Sequence, residues 1–258
     1  MPHKKVVLSL LSALLIFCAA GTAAAFLLPA RGSGTRLGRM LGKQAAAVAL
    51  ASSTQAASLP AEISHGDQSK NQVIFTFDGG AGADSGDAIL AALAKHHAKG
   101  TFFLTGKMIE AHPDLVRKIV AGGHEIFSHT YDHPKLPTLA DAQITDELAK
   151  MESALQAVAG ISPKPYFRAP YGARDPRVLG VAAQSGYQSV YWTVDALDWK
   201  QKQGQTADQV RQRILESVAP GAIYLMHVGD SITGAILDDA FSAIEAKGYK
   251  IVSLTQGL

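Results

Sequence analysis

His129 and His133 are the two residues whose types and spacing point most directly to chemistry. They stand four positions apart in the run Ser128-His129-Thr130-Tyr131-Asp132-His133. Two imidazoles at this spacing share one face of a helical turn, which is a common arrangement of metal ligands. The same spacing also suits a solvated pair on a helix, so a metal site requires further polar residues nearby.

Four more residues suited to catalysis follow short apolar segments at separate points of the chain. They are a carboxylate, a guanidinium, a second carboxylate and a third histidine: Asp78, Arg168, Asp195 and His227. Each lies at or just beyond the carboxyl end of a different β-favouring segment, as the histidine pair does.

The elements that must position these residues alternate along the chain. We predict strands at residues 73–77, 101–104, 124–127, 166–169, 190–194, 222–226 and 251–254, and helices at 87–98, 113–121, 139–159, 176–184, 207–218 and 236–247. Such alternation is typical of a parallel sheet covered by helices, either a barrel or a doubly wound sheet. A barrel is favoured because its strand ends converge on one rim, where catalytic residues are found.

The amino-terminal segment predicts export. Lys4 and Lys5 precede an uncharged apolar run, residues 6–28, that is long enough to cross a bilayer. Ala23-Ala24-Ala25 offers small residues for cleavage, although the apolar run continues to Leu28. Residues 1–30 are therefore a signal peptide or a membrane anchor. We expect the protein to be membrane-anchored at the cell surface or in the periplasm, or secreted.

Composition separates this leader from one globular domain. Residues 31–70 are rich in Ala, Ser and Gly and are predicted to form a flexible linker before a domain at 71–258. Six of the 24 Lys and Arg residues precede Leu59 and none of the 22 Asp and Glu residues does, which leaves the remainder near −4. A nucleic-acid partner is therefore not favoured. Cys18, the single cysteine, lies in the apolar run, so the domain has no disulfide or thiol chemistry.

The candidate residues lie in five short stretches: Thr76-Phe77-Asp78, His129-Thr130-Tyr131-Asp132-His133, Arg168-Ala169-Pro170-Tyr171, Asp195-Ala196-Leu197-Asp198-Trp199 and Leu225-Met226-His227. In this order the stretches resemble the motifs of the polysaccharide deacetylases, carbohydrate esterase family four, also called the NodB-homology domain. The chain resembles this family from about residue 73 onward, and five ordered motifs are more specific than any one of them. The resemblance implies a distorted (β/α) barrel of about seven parallel strands. It also implies removal of an acetyl group from an N-acetylated sugar with a divalent metal, usually zinc.

The resemblance implies a role for each polar residue. His129 and His133 would bind the metal, and Asp78 would take a proton from the attacking water. His227 would protonate the departing amine, so an anionic neighbour should raise its pKa, and Asp195 resembles the residue that does this.

Other residues of the motifs would orient and enclose the reacting groups. Arg168 resembles the residue that pairs with the catalytic carboxylate, and the backbone amide of Tyr171 would stabilise the oxyanion. The predicted walls of the acetyl pocket are Trp199, Leu225 and Pro170.

One position departs from the family pattern. The family usually places a second aspartate, the third metal ligand, directly after the base, where this chain has Gly79. Catalytic zinc commonly has three protein ligands and a water. Three outcomes follow: Asp84 in the next loop replaces the ligand, Asp78 itself touches the metal, or the metal binds weakly or not at all.

The expected function is a metal-assisted hydrolase that removes N-acetyl groups from a polysaccharide partner, either peptidoglycan or a chitin-like chain. An alternative enzyme would remove O-acetyl groups from a plant polysaccharide such as acetylated xylan. The competing class is a non-catalytic carbohydrate-binding protein with a degraded metal site. Gly79 favours that class, whereas Asp78 and His227 disfavour it. A membrane is a further partner if residues 1–30 stay uncleaved.

Overall fold

The computed structural model of the protein describes residues 60–80 and 82–258. The predicted signal peptide or anchor and most of the predicted linker lie outside the described residues. Within the described ranges, the longest apolar helices are still too short or too polar to span a bilayer.

A curled sheet of parallel strands confirms the predicted α/β barrel. Its strands are β1 (Gln72–Gly79), β2 (Thr101–Leu104), β3 (Glu125–Ser128), β4 (Tyr166–Phe167), β5 (Gln188–Ser189), β6 (Val194–Asp195), β7 (Ala222–His227) and β8 (Lys250–Val252). They pair in the order β5-β4-β3-β2-β1-β7-β6, and β8 adds to β1. The single strand predicted at 190–194 is in fact an isolated bridge residue, Val190, a connection and the first residue of β6.

Helices follow most strands and cover the outside of the sheet. They are α1 (Gly86–Lys95), α2 (Gly106–Ala111), α3 (Pro113–Ala121), α4 (Asp141–Ala159), α5 (Pro176–Gln184), α6 (Ala207–Glu216), α7 (Ser231–Ala246) and α8 (Leu254–Gly257). The predicted bounds of α3 and α5 are correct because both helices begin at a proline, which suits the first helical position. The short helices α2 and α8 were not predicted. Thr105 begins α2, where its hydroxyl accepts from the Met108 N–H.

Strand β1 is central and buried on both faces, as expected for a parallel sheet that is covered on both sides. On the outer face, Phe75 stacks on Tyr224 of β7 with ring centroids 4.6 Å apart. Phe75 also packs edge-on against Phe241 of α7, with ring centroids 4.8 Å apart. This packing holds the carboxyl end of β1, where Asp78 lies, in a fixed position.

The predicted linker ends earlier than residue 70. The Ile63 N–H donates to the Ser189 carbonyl at 2.9 Å, and the Ile63 carbonyl accepts from the Tyr191 N–H at 2.7 Å. The Gly66 N–H donates to the Gly221 carbonyl at 2.8 Å. The linker prediction is therefore wrong for these residues, whose backbone groups pair with the ends of the sheet.

Candidate active site

The carboxyl ends of five strands meet at one rim, around a cavity of about 420 Å³. The cavity is lined by Asp78, Gly80, His129, His133, Tyr171, Gly172, Trp192, Asp195, Trp199, Leu225 and His227. The structure therefore brings together nearly all of the residues that the sequence analysis singled out. It does so because each of these residues follows, or ends, a strand of the same curled sheet.

The two histidines converge through a tight loop, and the helical turn assumed from their spacing is wrong. Residues 129–133 contain no helix. Thr130 has a φ of 68° and His133 has a φ of 62°, and such left-handed conformations cluster at functional sites. Two successive N–H groups of the loop donate to the Glu147 carboxylate at 3.0 and 2.8 Å. The loop places the Nε2 atoms of His129 and His133 3.2 Å apart.

Both histidines are held in the neutral form that binds metals. Nδ1 of His129 lies 2.9 Å from the Arg168 carbonyl, which can only accept, so Nδ1 carries the proton and Nε2 is free. Burial lowers the pKa of His129. Burial, and then the charge of His129, lowers the pKa of His133 to about 4. Both imidazoles are therefore neutral at pH 7.

The donor set fits a divalent metal with one carboxylate oxygen. Ligands at about 2.1 Å from a tetrahedral zinc ion lie roughly 3.4 Å apart. The two Nε2 atoms are 3.2 Å apart, and Oδ2 of Asp78 is 3.6 Å from Nε2 of His129. Asp78 therefore stands where it can supply the third ligand.

Asp84, the other residue proposed to replace the missing metal ligand, lies outside the cavity. Asp84 is exposed and is not among the residues that line the cavity, so the structure contradicts its predicted place beside the histidines. Gly82 in the same loop packs against Gly229, where an added Cβ would lie 3.2 Å from the Gly229 Cα. At Gly79, a Cβ would overlap Met108 and lie 2.7 Å from a methyl group of Leu104. Both side chains are fully buried, so they fill the space that a side chain at position 79 would need.

Asp78 is oriented by a fully buried guanidinium. Nη1 of Arg168 donates to Oδ1 of Asp78 at 2.7 Å and to the Thr76 hydroxyl at 2.8 Å. Nε and Nη2 donate to the carbonyls of Val190 and Tyr191 at 3.2 and 3.0 Å. Since Arg168 occupies Oδ1, the second oxygen of Asp78 is left facing His129. Thr76 and these two carbonyls were not predicted from the sequence.

His227 is paired with Asp198, and the predicted pairing with Asp195 is wrong. Nδ1 of His227 lies 2.9 Å from Oδ1 of Asp198, which is fully buried. Burial lowers the pKa of His227, but the hydrogen bond and charge of Asp198, with the charge of Asp78, outweigh it and raise the pKa to about 9. Asp195 instead accepts two other hydrogen bonds. The Trp199 indole N–H donates to its carboxylate at 3.3 Å, and the Leu197 N–H donates to it at 2.9 Å.

Ligand atoms of Asp198, His227 and Asp230 also lie within 4.8 Å of one another. A metal there is disfavoured because both oxygens of Asp198 already accept hydrogen bonds. Oδ2 accepts from the His227 N–H at 2.7 Å and from the Thr233 hydroxyl at 2.5 Å. Oδ1 accepts from the Trp199 N–H at 3.0 Å and faces Nδ1 of His227. These bonds make Asp198 a charge partner of His227.

Aromatic and aliphatic side chains form the walls of the cavity. Trp199, which is 42% exposed, and the buried Leu225 line it as predicted. Pro170 does not line it, because it is buried at the start of a 3-10 turn behind Tyr171. Trp192 lines the cavity and was not singled out from the sequence, although it lies in the predicted strand at 190–194. The Tyr171 ring lies 4.5 Å from the ring of His133.

Comparisons with known proteins agree with this geometry. A family model described as polysaccharide deacetylase matches residues 65–190. A peptidoglycan-N-acetylglucosamine deacetylase of Bacillus cereus is 34% identical over 193 residues, which are 73% of this chain and 69% of the relative. The structure of PdaA, a family 4 carbohydrate esterase of Bacillus subtilis, matches with a TM-score of 0.73 and 28% identity over 88% of this chain and 90% of that one. A pseudoenzyme of the same family from Bacillus anthracis matches with a TM-score of 0.72 and 32% identity over 77% of this chain and 69% of that one.

Proposed function

The chain belongs to the polysaccharide deacetylase family, and on that premise we propose that it hydrolyses N-acetyl groups of an amino-sugar polysaccharide, either peptidoglycan or a chitin-like chain. The observation that carries the proposal is the pairing of two opposite proton-transfer groups in one cavity. Asp78 is a carboxylate bound to a buried guanidinium, and His227 has a pKa of about 9. At neutral pH the first can accept a proton while the second can donate one, as amide hydrolysis requires.

His129 and His133 would hold a divalent metal beside Oδ2 of Asp78, and zinc is the choice that two imidazole nitrogens favour. A bound zinc ion would polarise the acetyl carbonyl and make water more acidic. The neutral state of both histidines supports this assignment, since protonated imidazoles bind no metal.

The proton transfers follow from the positions of Asp78 and His227. Oδ2 of Asp78 takes a proton from the attacking water, while Arg168 keeps the carboxylate oriented through Oδ1. The water oxygen bonds to the acetyl carbon, and the carbon–nitrogen bond breaks. His227 gives its Nε2 proton to the departing amine, and Asp198 holds its Nδ1 proton in place. The products are acetate and the free amino sugar.

The remaining residues of the cavity would bind the acetyl group and the sugar. The backbone amide of Tyr171 would stabilise the oxyanion of the tetrahedral intermediate. Trp199, Leu225 and Trp192 provide apolar surface for the acetyl methyl group, and Asp195 fixes the indole of Trp199. An exported protein would meet such polymers outside the cytoplasmic membrane, and residues 1–30 would serve as its signal peptide or anchor.

A non-catalytic carbohydrate-binding role is the second candidate. Met108 and Leu104 fill the space beside Gly79, so the usual third ligand is absent and its place is occupied. The likeness to the pseudoenzyme from Bacillus anthracis supports this alternative as well.

Acetate release from N-acetylglucosamine oligomers and from peptidoglycan tests the proposal, with chelator and then with added zinc. We expect release that stops with chelator, returns with zinc and is lost in Asp78→Asn. Release only from acetylated xylan would identify the O-acetyl esterase instead. Binding of the glycan without acetate release, and without bound zinc, would identify the binding protein.

A further inference from the structure

The barrel has a gap in its strand pairing between β5 and β6, the two edges of the sheet. Residues 62–64, which we call the seam segment, lie against both edges. Ile63 forms a parallel bridge with Val190, just after β5. The carbonyl of Ser64 accepts from the Thr193 hydroxyl at 2.8 Å, just before β6. The seam segment therefore fills the gap that the strands leave.

The seam segment fixes the backbone that orients Arg168. The Ile63 N–H donates to the carbonyl of Ser189 at 2.9 Å, and the Tyr191 N–H donates to the Ile63 carbonyl at 2.7 Å. The carbonyl of Val190 lies between these two bonds and that of Tyr191 follows them, and both are acceptors for Arg168, through Nε and Nη2 respectively. Any shift of this backbone would change the direction of the guanidinium and hence of the carboxylate of Asp78.

Glu62 attaches the seam segment to the cavity wall. Its two carboxylate oxygens accept from Nε and Nη2 of Arg174 at 2.9 and 2.6 Å, and Oε1 also accepts from the Ser189 hydroxyl at 2.7 Å. The guanidinium of Arg174 lies 3.7 Å from the ring centroid of Tyr191 and donates to the Gly172 carbonyl at 3.1 Å. Gly172 lines the cavity beside Tyr171. One bidentate ion pair thus joins the seam segment to both the Arg168 acceptors and the wall.

We propose that the seam segment, acting through Glu62 and Arg174, is a positioning element of the active site, a role that rests on the function proposed above. The polysaccharide deacetylase family model begins to match at residue 65, after this segment. A segment that only covered the core would change stability alone. A positioning segment changes the rate of the chemical step, because small displacements of a catalytic group reduce rate without reducing substrate binding.

The test uses the full-length, zinc-loaded protein and an N-acetylglucosamine oligomer, with kcat and KM measured separately. Glu62→Gln keeps the shape of the side chain and removes the charge that binds Arg174. We expect kcat to fall about tenfold with KM within about twofold and zinc content unchanged. Arg174→Gln should have the same effect, and the double variant should lose no more than either single variant because both break one linkage.

The matched control is Arg177→Gln, which breaks the ion pair of Arg177 with Asp141 at 2.6 Å but has no link to Arg168. This variant should keep the kcat of the wild type. Glu62→Asp retains the charge and should recover part of the lost kcat. An unchanged kcat in folded Glu62→Gln and Arg174→Gln would overturn the positioning role.

Amide hydrogen exchange tests the same linkage without using activity. Glu62→Gln should speed exchange in peptides that cover residues 189–193 and 166–169, whereas Arg177→Gln should leave both unchanged. If the wild-type protein releases no acetate, the proposed function fails, and exchange still decides whether the seam segment holds this backbone. If Glu62→Gln shows no cooperative melting transition, Arg174→Lys, which keeps the charge but loses the bidentate geometry, replaces it. Unchanged exchange at residues 189–193 in both Glu62→Gln and Arg174→Lys would refute the linkage between Glu62 and this backbone.

Discussion

Replacing Asp198 with asparagine should move the pH range in which His227 can act as an acid. Burial lowers the pKa of His227, while Asp198, with Asp78, raises it from 6.5 to about 9. Asparagine has nearly the same shape, and its carbonyl can still accept from the Thr233 hydroxyl and the His227 N–H. Its NH2 group would then face the Trp199 N–H and Nδ1 of His227, so the substitution removes the charge and one acceptor while it keeps the shape of the side chain.

The size of the effect follows from the two protonation equilibria. With a pKa of about 9, about 99% of His227 is protonated at pH 7 and about 90% at pH 8. With its ordinary pKa of about 6.5, the fractions are about 24% and about 3%. If the loss of Asp198 returns the pKa of His227 to about 6.5, activity that needs the acid falls about fourfold at pH 7 and about thirtyfold at pH 8.

The assay is the pH dependence of kcat/KM for acetate release, which reports the ionisations of the free enzyme. The alkaline limb of the wild-type profile should lie near pH 9, and that of Asp198→Asn should lie well below it. Asp195→Asn is the control, because Asp195 binds the Trp199 indole and leaves His227 to Asp198. An Asp198→Asn profile that keeps the wild-type alkaline limb, or an Asp195→Asn profile that moves by a similar amount, would show that Asp198 does not set the pKa of His227.

Three further outcomes are expected. Gly79→Asp alone should lower the free energy of unfolding by about 2 kcal/mol, because the new side chain overlaps Met108. The double variant Gly79→Asp with Met108→Ala should be more stable than the sum of the two single changes predicts. Additive free energies in urea unfolding would contradict this coupling. Burial, and then the charge of Lys99, lowers the pKa of His124 to about 4, so its stabilising contribution is complete above pH 6.5 and is lost as the pH falls toward 4. His124→Gln should therefore reduce the fall in the free energy of unfolding between pH 6.5 and pH 4. An unchanged fall would show that His124 does not contribute to this pH dependence. Trp199→Ala should raise KM about tenfold while Trp199→Phe should not, because the aromatic ring would form a wall of the proposed acetyl pocket. Equal KM values in the two variants would contradict this role of Trp199.

Strand alternation predicted the convergence of the site because the carboxyl ends of parallel strands meet wherever the sheet curls. That information is local, and it placed Asp78, Arg168 and His227 at one rim without any knowledge of loops. The spacing of His129 and His133 pointed to a shared site, although the two rings meet through a loop and not on one face of a helix. Two left-handed residues in the loop bring the rings together, and such backbone conformations are not readable from residue types that seldom adopt them.

Other features depended on contacts that the sequence does not display. Asp195 and Asp198 lie in one motif, and which carboxylate faces His227 depends on the left-handed backbone of Leu197, with a φ of 64°. Glu62 pairs with Arg174, 112 positions away, so it looked like part of a linker. The sequence showed that the third ligand is missing at position 79. Only the packing shows that Met108 has taken the space.

The central claim is that His129 and His133 hold a zinc ion while His227 supplies the proton, and one measurement separates the two roles. Zinc content and acetate release should be measured together in His129→Ala and His227→Ala after both proteins have been equilibrated with zinc. The account predicts that His129→Ala loses zinc and turnover, and that His227→Ala keeps zinc and loses turnover. Turnover that survives both substitutions, or zinc that stays bound in His129→Ala at the wild-type level, would contradict it.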